Sequence, residues 1–69
     1  MEKLTNRETE IIQLVASGKT NQELAEELYI AVPTVKAHLR HIFNKLGATN
    51  RTQAVCIAIR NNLINLKEV

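Results

Sequence analysis

Apolar positions along this chain recur at helical spacing, and no stretch alternates apolar and polar residues as a half-buried strand would. The first periodic segment opens at Thr5. Thr5-Asn6-Arg7-Glu8 has the form of a capping box, in which hydroxyl and carboxylate each satisfy a backbone N–H at the helix start. Ile11, Leu14 and Val15 mark its buried side, and Gly18 is its stop, since glycine takes the left-handed conformation at no steric cost. Thr20-Asn21-Gln22-Glu23 repeats the start signal, with Leu24, Ala25 and Leu28 following as the apolar side of a second helix. After the short connection Tyr29-Ile30-Ala31, a third helix begins at Val32 or Pro33, because proline suits a first helical turn and biases the residue before it away from helix. It runs to Leu46 and stops at Gly47. Asn50-Arg51-Thr52-Gln53 is a further box-like cap, and Ala54, Val55, Ala58 and Ile59 share one side of the helix it opens. Asn62 is the expected left-handed stop, and Leu63, Ile64 and Leu66 are expected to pack back on the core.

The pattern predicts an all-α fold of four short helices forming one domain over residues 1–69. Two helices joined by a three-residue connection have the form of a helix-turn-helix, built from helices 2 and 3, with helix 4 at the C-terminal end. The packing demands of that motif are met by small Ala25 in helix 2, apolar Ile30 at the corner and β-branched Val35 early in helix 3. Tyr29 holds the corner position where glycine is common, so the chain there needs a backbone angle that tyrosine adopts only at a cost. At about 100° per residue, Val35, Leu39, Ile42 and Leu46 cluster on one side of helix 3, with Phe43 at the edge. The opposite side carries Pro33, Ala37, Arg40, His41 and Asn44, flanked by Lys36.

Charge changes the picture most. Residues 1–27 hold three cations against six acids, a net −3, whereas residues 28–69 hold six cations and one acid, a net +5. Residues 28–66 contain no acid at all, and the total of +2 hides this asymmetry. Clearing acids from one half of a small domain presents that half to a negative partner. Only two aromatic residues, Tyr29 and Phe43, are too few for a platform that stacks unpaired bases. Cys56 is the single cysteine, which excludes an internal disulfide and fits a reducing cytoplasm. With His38 and His41 it gives too few ligands for a zinc site, so no metal and no cofactor are expected. No apolar run is long enough for a membrane span and no signal-peptide pattern opens the chain. No nucleophile–base pair, glycine-rich phosphate loop or carboxylate dyad is present, so the chain is not expected to be an enzyme.

A helix fits the major groove of duplex DNA, where base edges present a distinguishable pattern of donors and acceptors. Helix 3, about residues 33–46, carries what insertion requires. Ala37 permits close approach, while Lys36 and Arg40, four residues apart, reach from one side toward guanine edges or phosphates. His41, Asn44 and Lys45 extend the contact along the backbone, and the start of helix 2, with Thr20 and Asn21, is a phosphate-binding candidate. Arg51 is equally suited to binding phosphate and to a structural pairing, and Glu8, near the inward side of helix 1, is expected to pair with a cation of helix 3 or 4. Ile57 lies away from the apolar side of helix 4 and is a candidate dimer contact, while Cys56 is read as a packing residue.

At this level the chain resembles the LuxR/NarL-type (GerE-like) helix-turn-helix domain of bacterial transcription regulators. The resemblance rests on Leu4-Thr5, Arg7-Glu8, Glu10-Ile11-Ile12, Gly18, Thr20-Asn21, Glu23-Leu24-Ala25, Thr34-Val35-Lys36, His38, Ile42, Lys45-Leu46-Gly47, Arg51 and Ala54, and spans residues 4–64. It implies a sequence-specific, duplex-DNA-binding regulator in the bacterial cytoplasm, either a stand-alone short regulator or the C-terminal output domain of a response regulator. By position, the resemblance assigns base contacts to Lys36, Ala37 and Arg40, and backbone contacts to Thr20, Asn21, Thr34 and His41. It places a homodimer contact on helix 4, at Gln53, Ile57, Arg60 and Asn61. Two departures stand out: Ala31 replaces the serine that often caps helix 3, removing about 1 kcal/mol of capping that Thr34 is expected to restore in part, and Asn62 replaces a glycine. The alternative reading is a protein-interaction module that uses the basic helix, or an exposed patch at Ile57, to bind an acidic partner such as a subunit of RNA polymerase.

Overall fold

The computed structural model describes residues 3–65, and the architecture is four helices: α1 (Asn6–Ala16), α2 (Asn21–Leu28), α3 (Val32–Leu46) and α4 (Arg51–Arg60). The start signals operate as the sequence dictates. Thr5 and Glu8 exchange hydrogen bonds across the first turn of α1, the Glu8 N–H donating to Thr5 Oγ1 at 3.1 Å and the Thr5 N–H to Glu8 Oε1 at 2.9 Å. Thr20 and Glu23 do the same for α2, at 3.1 and 2.8 Å. The third cap is shifted. Asn50 Oδ1 accepts from the Gln53 N–H at 2.8 Å, but Gln53 Oε1 reaches one residue further back, to the N–H and hydroxyl of Thr49. For α3 no side chain caps the N-terminus; Ala31 has none to offer and Thr34 does not replace it.

The stops are equally local in origin. Gly18 (φ +93°) and Gly47 (φ +72°) turn the chain after α1 and α3 in the left-handed region. Asn62 (φ 60°) does so after α4, and Tyr29 (φ 59°) closes α2 in the same conformation, which for a ring-bearing residue is strained.

Helix α3 packs against the other three helices, and α1 likewise, so the core lies between these two. Ile11, Ile12, Leu24, Val35 and Ile42 are entirely inaccessible, each stabilising the fold by roughly 1.5–3 kcal/mol relative to exposure. On α1 the apolar stripe is rotated slightly from the expected one: Ile12 is buried and Leu14 is only half-buried. Ala54 and Ala58 are buried with no accessible surface, and their small size lets the α4 backbone approach the core closely. Ile64 folds back under the bundle and Leu63 is half-buried beside it, as expected; Leu66 lies outside the described residues. Among the described residues no helix is long and apolar enough to cross a membrane.

Candidate nucleic-acid interface

The core side of α3, formed by Val35, Leu39, Ile42 and Leu46, fixes what the other side presents. Lys36 and Arg40 are exposed and, among the described residues, have no hydrogen-bond or ion-pair partner in the protein. Ala37 sits between them, half-buried, so its methyl lies low on a surface that the two longer side chains flank. Thr34, His41 and Asn44 are exposed on the same helix, and His38 is half-buried toward the edge of the core. A helix of 15 residues is about 22 Å long, so this face is a basic strip with a shallow centre.

Two of the cations that the sequence offers to a negative partner are held by the protein itself. Lys45 Nζ donates to Glu8 Oε1 at 2.7 Å; the Glu8 side chain is 9% exposed and that of Lys45 21%. Burial works against the charge on Glu8, but the Lys45 ammonium and the Thr5 N–H outweigh it and hold the carboxyl below the usual glutamate range. Glu8 thus caps α1 and ties it to the last turn of α3, the ion pair expected for it. Arg51, the first residue of α4, is also engaged inward: Nη1 donates to Asn21 Oδ1 at 2.8 Å and Nη2 to the Lys19 carbonyl at 2.9 Å. Of its two expected roles, the structural pairing is therefore formed. Lys45, Arg51 and Asn21 are all half-buried, which distinguishes them from Lys36 and Arg40.

At the start of α2, Thr20 is exposed and its hydroxyl oxygen accepts from the Glu23 N–H. The Glu23 carboxylate accepts from the Thr20 N–H, and that backbone bond is the main cause of its lowered pKa. The N–H groups of Asn21 and Gln22 are left without partners among the described residues, so donors remain at this helix end. The sequence signal for Thr20 concealed this carboxylate, because a capping box and a phosphate site draw on the same N–H groups.

On α4 the outward stripe is made of Gln53, Cys56 and Arg60, all exposed, with Asn61 at its end. Ile57 lies at the margin, half-buried against the core, so the exposed patch expected there is not formed. The large apolar residue standing in the open is Tyr29, 94% exposed. Gln53 Oε1 is taken by Thr49, and Asn61 Nδ2 donates to the Ile57 carbonyl at 2.8 Å. Cys56, expected to pack, is exposed instead: Ala54 and Ala58 face the core and turn it outward.

Comparison with known proteins agrees with this geometry. A family model described as "Bacterial regulatory proteins, luxR family" matches residues 2–58. The chain is 53% identical over 64 residues to the transcriptional regulatory protein LiaR of Bacillus subtilis (strain 168), a match covering 93% of this chain and 30% of LiaR. It superposes on the transcription factor GerE with a TM-score of 0.87 and 32% identity, covering 96% of this chain and 98% of GerE. On VqmA of Vibrio cholera, solved in complex with ligand and DNA, the TM-score is 0.83 and the identity 30%, covering 91% of this chain and 28% of VqmA. The chain therefore spans less than a third of the length of LiaR and of VqmA. A match over most of the chain, on a helix-turn-helix with the residues in register, makes it a member of the luxR family of bacterial regulatory proteins.

Proposed function

We propose that this chain binds duplex DNA in a sequence-specific manner and serves as the DNA-binding unit of a transcription regulator in the bacterial cytoplasm, with α3 lying in the major groove. The observation that carries the reading is the pair Lys36 and Arg40, exposed around Ala37 and unpartnered within the protein, on the side of α3 opposite its core residues. An unpaired cation on a rigid helix keeps its charge and reach for an external acceptor. Lys36 and Arg40 take guanine edges or phosphates, and Ala37 lets the helix sit close enough for its methyl to meet a thymine methyl. Thr34, His41 and Asn44 then face the backbone along the groove, and Thr20 with the first N–H groups of α2 meets the adjacent phosphates. The similarity to VqmA, solved with DNA, supports this placement.

The outward stripe of α4 supports pairing of two copies on DNA, with Gln53, Arg60, Asn61 and the margin at Ile57 as the contact. Two half-sites one helical turn apart are the expected operator form. Selection of bound sequences from random duplexes, followed by titration of the selected site, tests the reading. Lys36→Ala or Arg40→Ala is expected to cost about 1–3 kcal/mol on that site, and each lost phosphate contact to lower the log–log salt slope by roughly 0.9. Wild-type affinity in both variants would remove the two residues from the mechanism. No duplex binding even at low salt would favour an acidic protein partner, such as a subunit of RNA polymerase, on the same face.

A further inference from the structure

The helices α2 and α4 are not principal packing partners; each leans on α1 and α3 instead. What joins the start of one to the start of the other is the Arg51 guanidinium, which spans from the first residue of α4 to Asn21 Oδ1 and the Lys19 carbonyl. Both acceptors lie in the segment that leads into α2, one on either side of Thr20. The two donors sit on different terminal nitrogens, so the planar fork fixes both the distance and the orientation of that segment. Among the described residues Arg51 has no carboxylate partner, so this cation is held by neutral oxygens.

Resting on the DNA reading above, we propose that Arg51 is a positioning residue for DNA binding: it acts through Asn21 and the Lys19 carbonyl to hold Thr20 and the first turn of α2 against the phosphate backbone. It also makes the position of α2 depend on α4, the helix to which dimerisation is assigned. The side-chain chemistry separates positioning from direct phosphate binding. A direct phosphate ligand needs charge and reach, which lysine retains. A two-acceptor strut needs the fork, which lysine lacks.

The test measures binding of the wild-type chain and of Arg51→Lys, Arg51→Gln, Asn21→Ala and the Arg51→Gln/Asn21→Ala double variant to the selected duplex across a salt series. Each variant's thermal midpoint is recorded, and binding is measured well below it. The expected result is that Arg51→Lys weakens binding as much as Arg51→Gln, about tenfold, and that the salt slope falls by roughly 0.9 in both. Asn21→Ala is expected to reproduce the loss, and the double variant to lose no more than either single change. Near-wild-type binding by Arg51→Lys with loss in Arg51→Gln would overturn the proposal in favour of a direct phosphate contact. A lowered midpoint with unchanged affinity and slope would overturn it in favour of a role in stability alone. Binding that depends on Lys36 and Arg40 but is indifferent to all four variants overturns this inference and leaves the DNA reading standing, whereas no duplex binding by the wild-type chain overturns both.

Discussion

Replacing Glu8 by glutamine removes one charge and almost no volume, and its cost can be worked from the geometry. Glu8 Oε1 accepts both from the Thr5 N–H at 2.9 Å and from Lys45 Nζ at 2.7 Å. The amide oxygen of glutamine can still accept from Thr5, so the cap survives in weakened form and the change falls mainly on the Lys45 pair. Fully exposed pairs contribute about 0.2–1 kcal/mol, and breaking a fully buried pair costs about 3–5 kcal/mol. This pair lies between: Glu8 is nearly enclosed, but Lys45 at 21% exposure can swing its ammonium to water once the carboxylate is gone. A loss of about 1.5–2.5 kcal/mol follows, in line with hydrogen bonds to charged groups. For a domain of this size that lowers the thermal midpoint by roughly 6–15 °C. Urea unfolding of wild type, Glu8→Gln, Lys45→Met and the double variant, followed by circular dichroism, should give a coupling of about 1–2 kcal/mol. The sign of the pH dependence is set by the lowered pKa of Glu8. Its contribution is complete above the unfolded value, taken as 4.5, and is lost as pH falls through the lower folded value, so the gap between wild type and Glu8→Gln should close in acid. A coupling under about 0.5 kcal/mol, or a gap that widens in acid, would refute the assignment.

The remaining predictions concern the backbone and α4. Tyr29→Gly removes a side chain from the left-handed region where the ring is 94% exposed and contributes little packing; a net gain of about 0.5 kcal/mol is expected in urea unfolding, after the greater unfolded-state freedom of glycine is counted. Ala31→Ser supplies the hydroxyl that the start of α3 lacks and should raise stability by about 0.5–1 kcal/mol, read as a rise in thermal midpoint. If two copies meet along α4, the exposed Cys56 of each lies close to its counterpart, so mild oxidation on operator DNA should give a disulfide-linked dimer that Cys56→Ser abolishes. Monomer alone on a denaturing non-reducing gel would tell against the α4 contact.

What the sequence makes legible is local. The capping boxes at Thr5 and Thr20, the stops at Gly18, Gly47 and Asn62, and the left-handed angle at Tyr29 each depend on a few adjacent residues, and each forms as the spacing dictates. The apolar stripe of α3 is equally plain, because a 15-residue helix carries its period through several turns. The difficulty begins where two residues far apart in sequence compete for one role. Lys45 and Arg51 read as phosphate-seeking cations, but one finds Glu8, 37 residues away, and the other Asn21, 30 residues away. Periodicity places a side chain on a face and does not say which neighbour arrives there. Ile57 and Cys56 show the same limit: the alanines that bring α4 close to the core tip Ile57 inward at its margin and leave the cysteine outside.

This division among the cations bears on how the domain recognises its target. In a chain whose acid-free stretch held only free charges, non-specific attraction to any polyanion would dominate, since each released counterion favours binding without regard to sequence. Here Lys45 is neutralised by Glu8, and Arg51 is drawn into the joint between α2 and α4. The cations left unpaired on α3 are Lys36 and Arg40, which flank the one position, Ala37, where the helix can come closest to base edges. Charge is thus concentrated where sequence is read and diminished elsewhere on the same helix. The carboxylate of Glu8 accordingly has two consequences. It stabilises the bundle, and it keeps a flexible ammonium at the far end of α3 from adding an attraction that carries no sequence information. The same replacement that lowers the thermal midpoint should therefore raise affinity for unrelated duplexes relative to the selected one, a change in specificity that a purely structural ion pair would not produce.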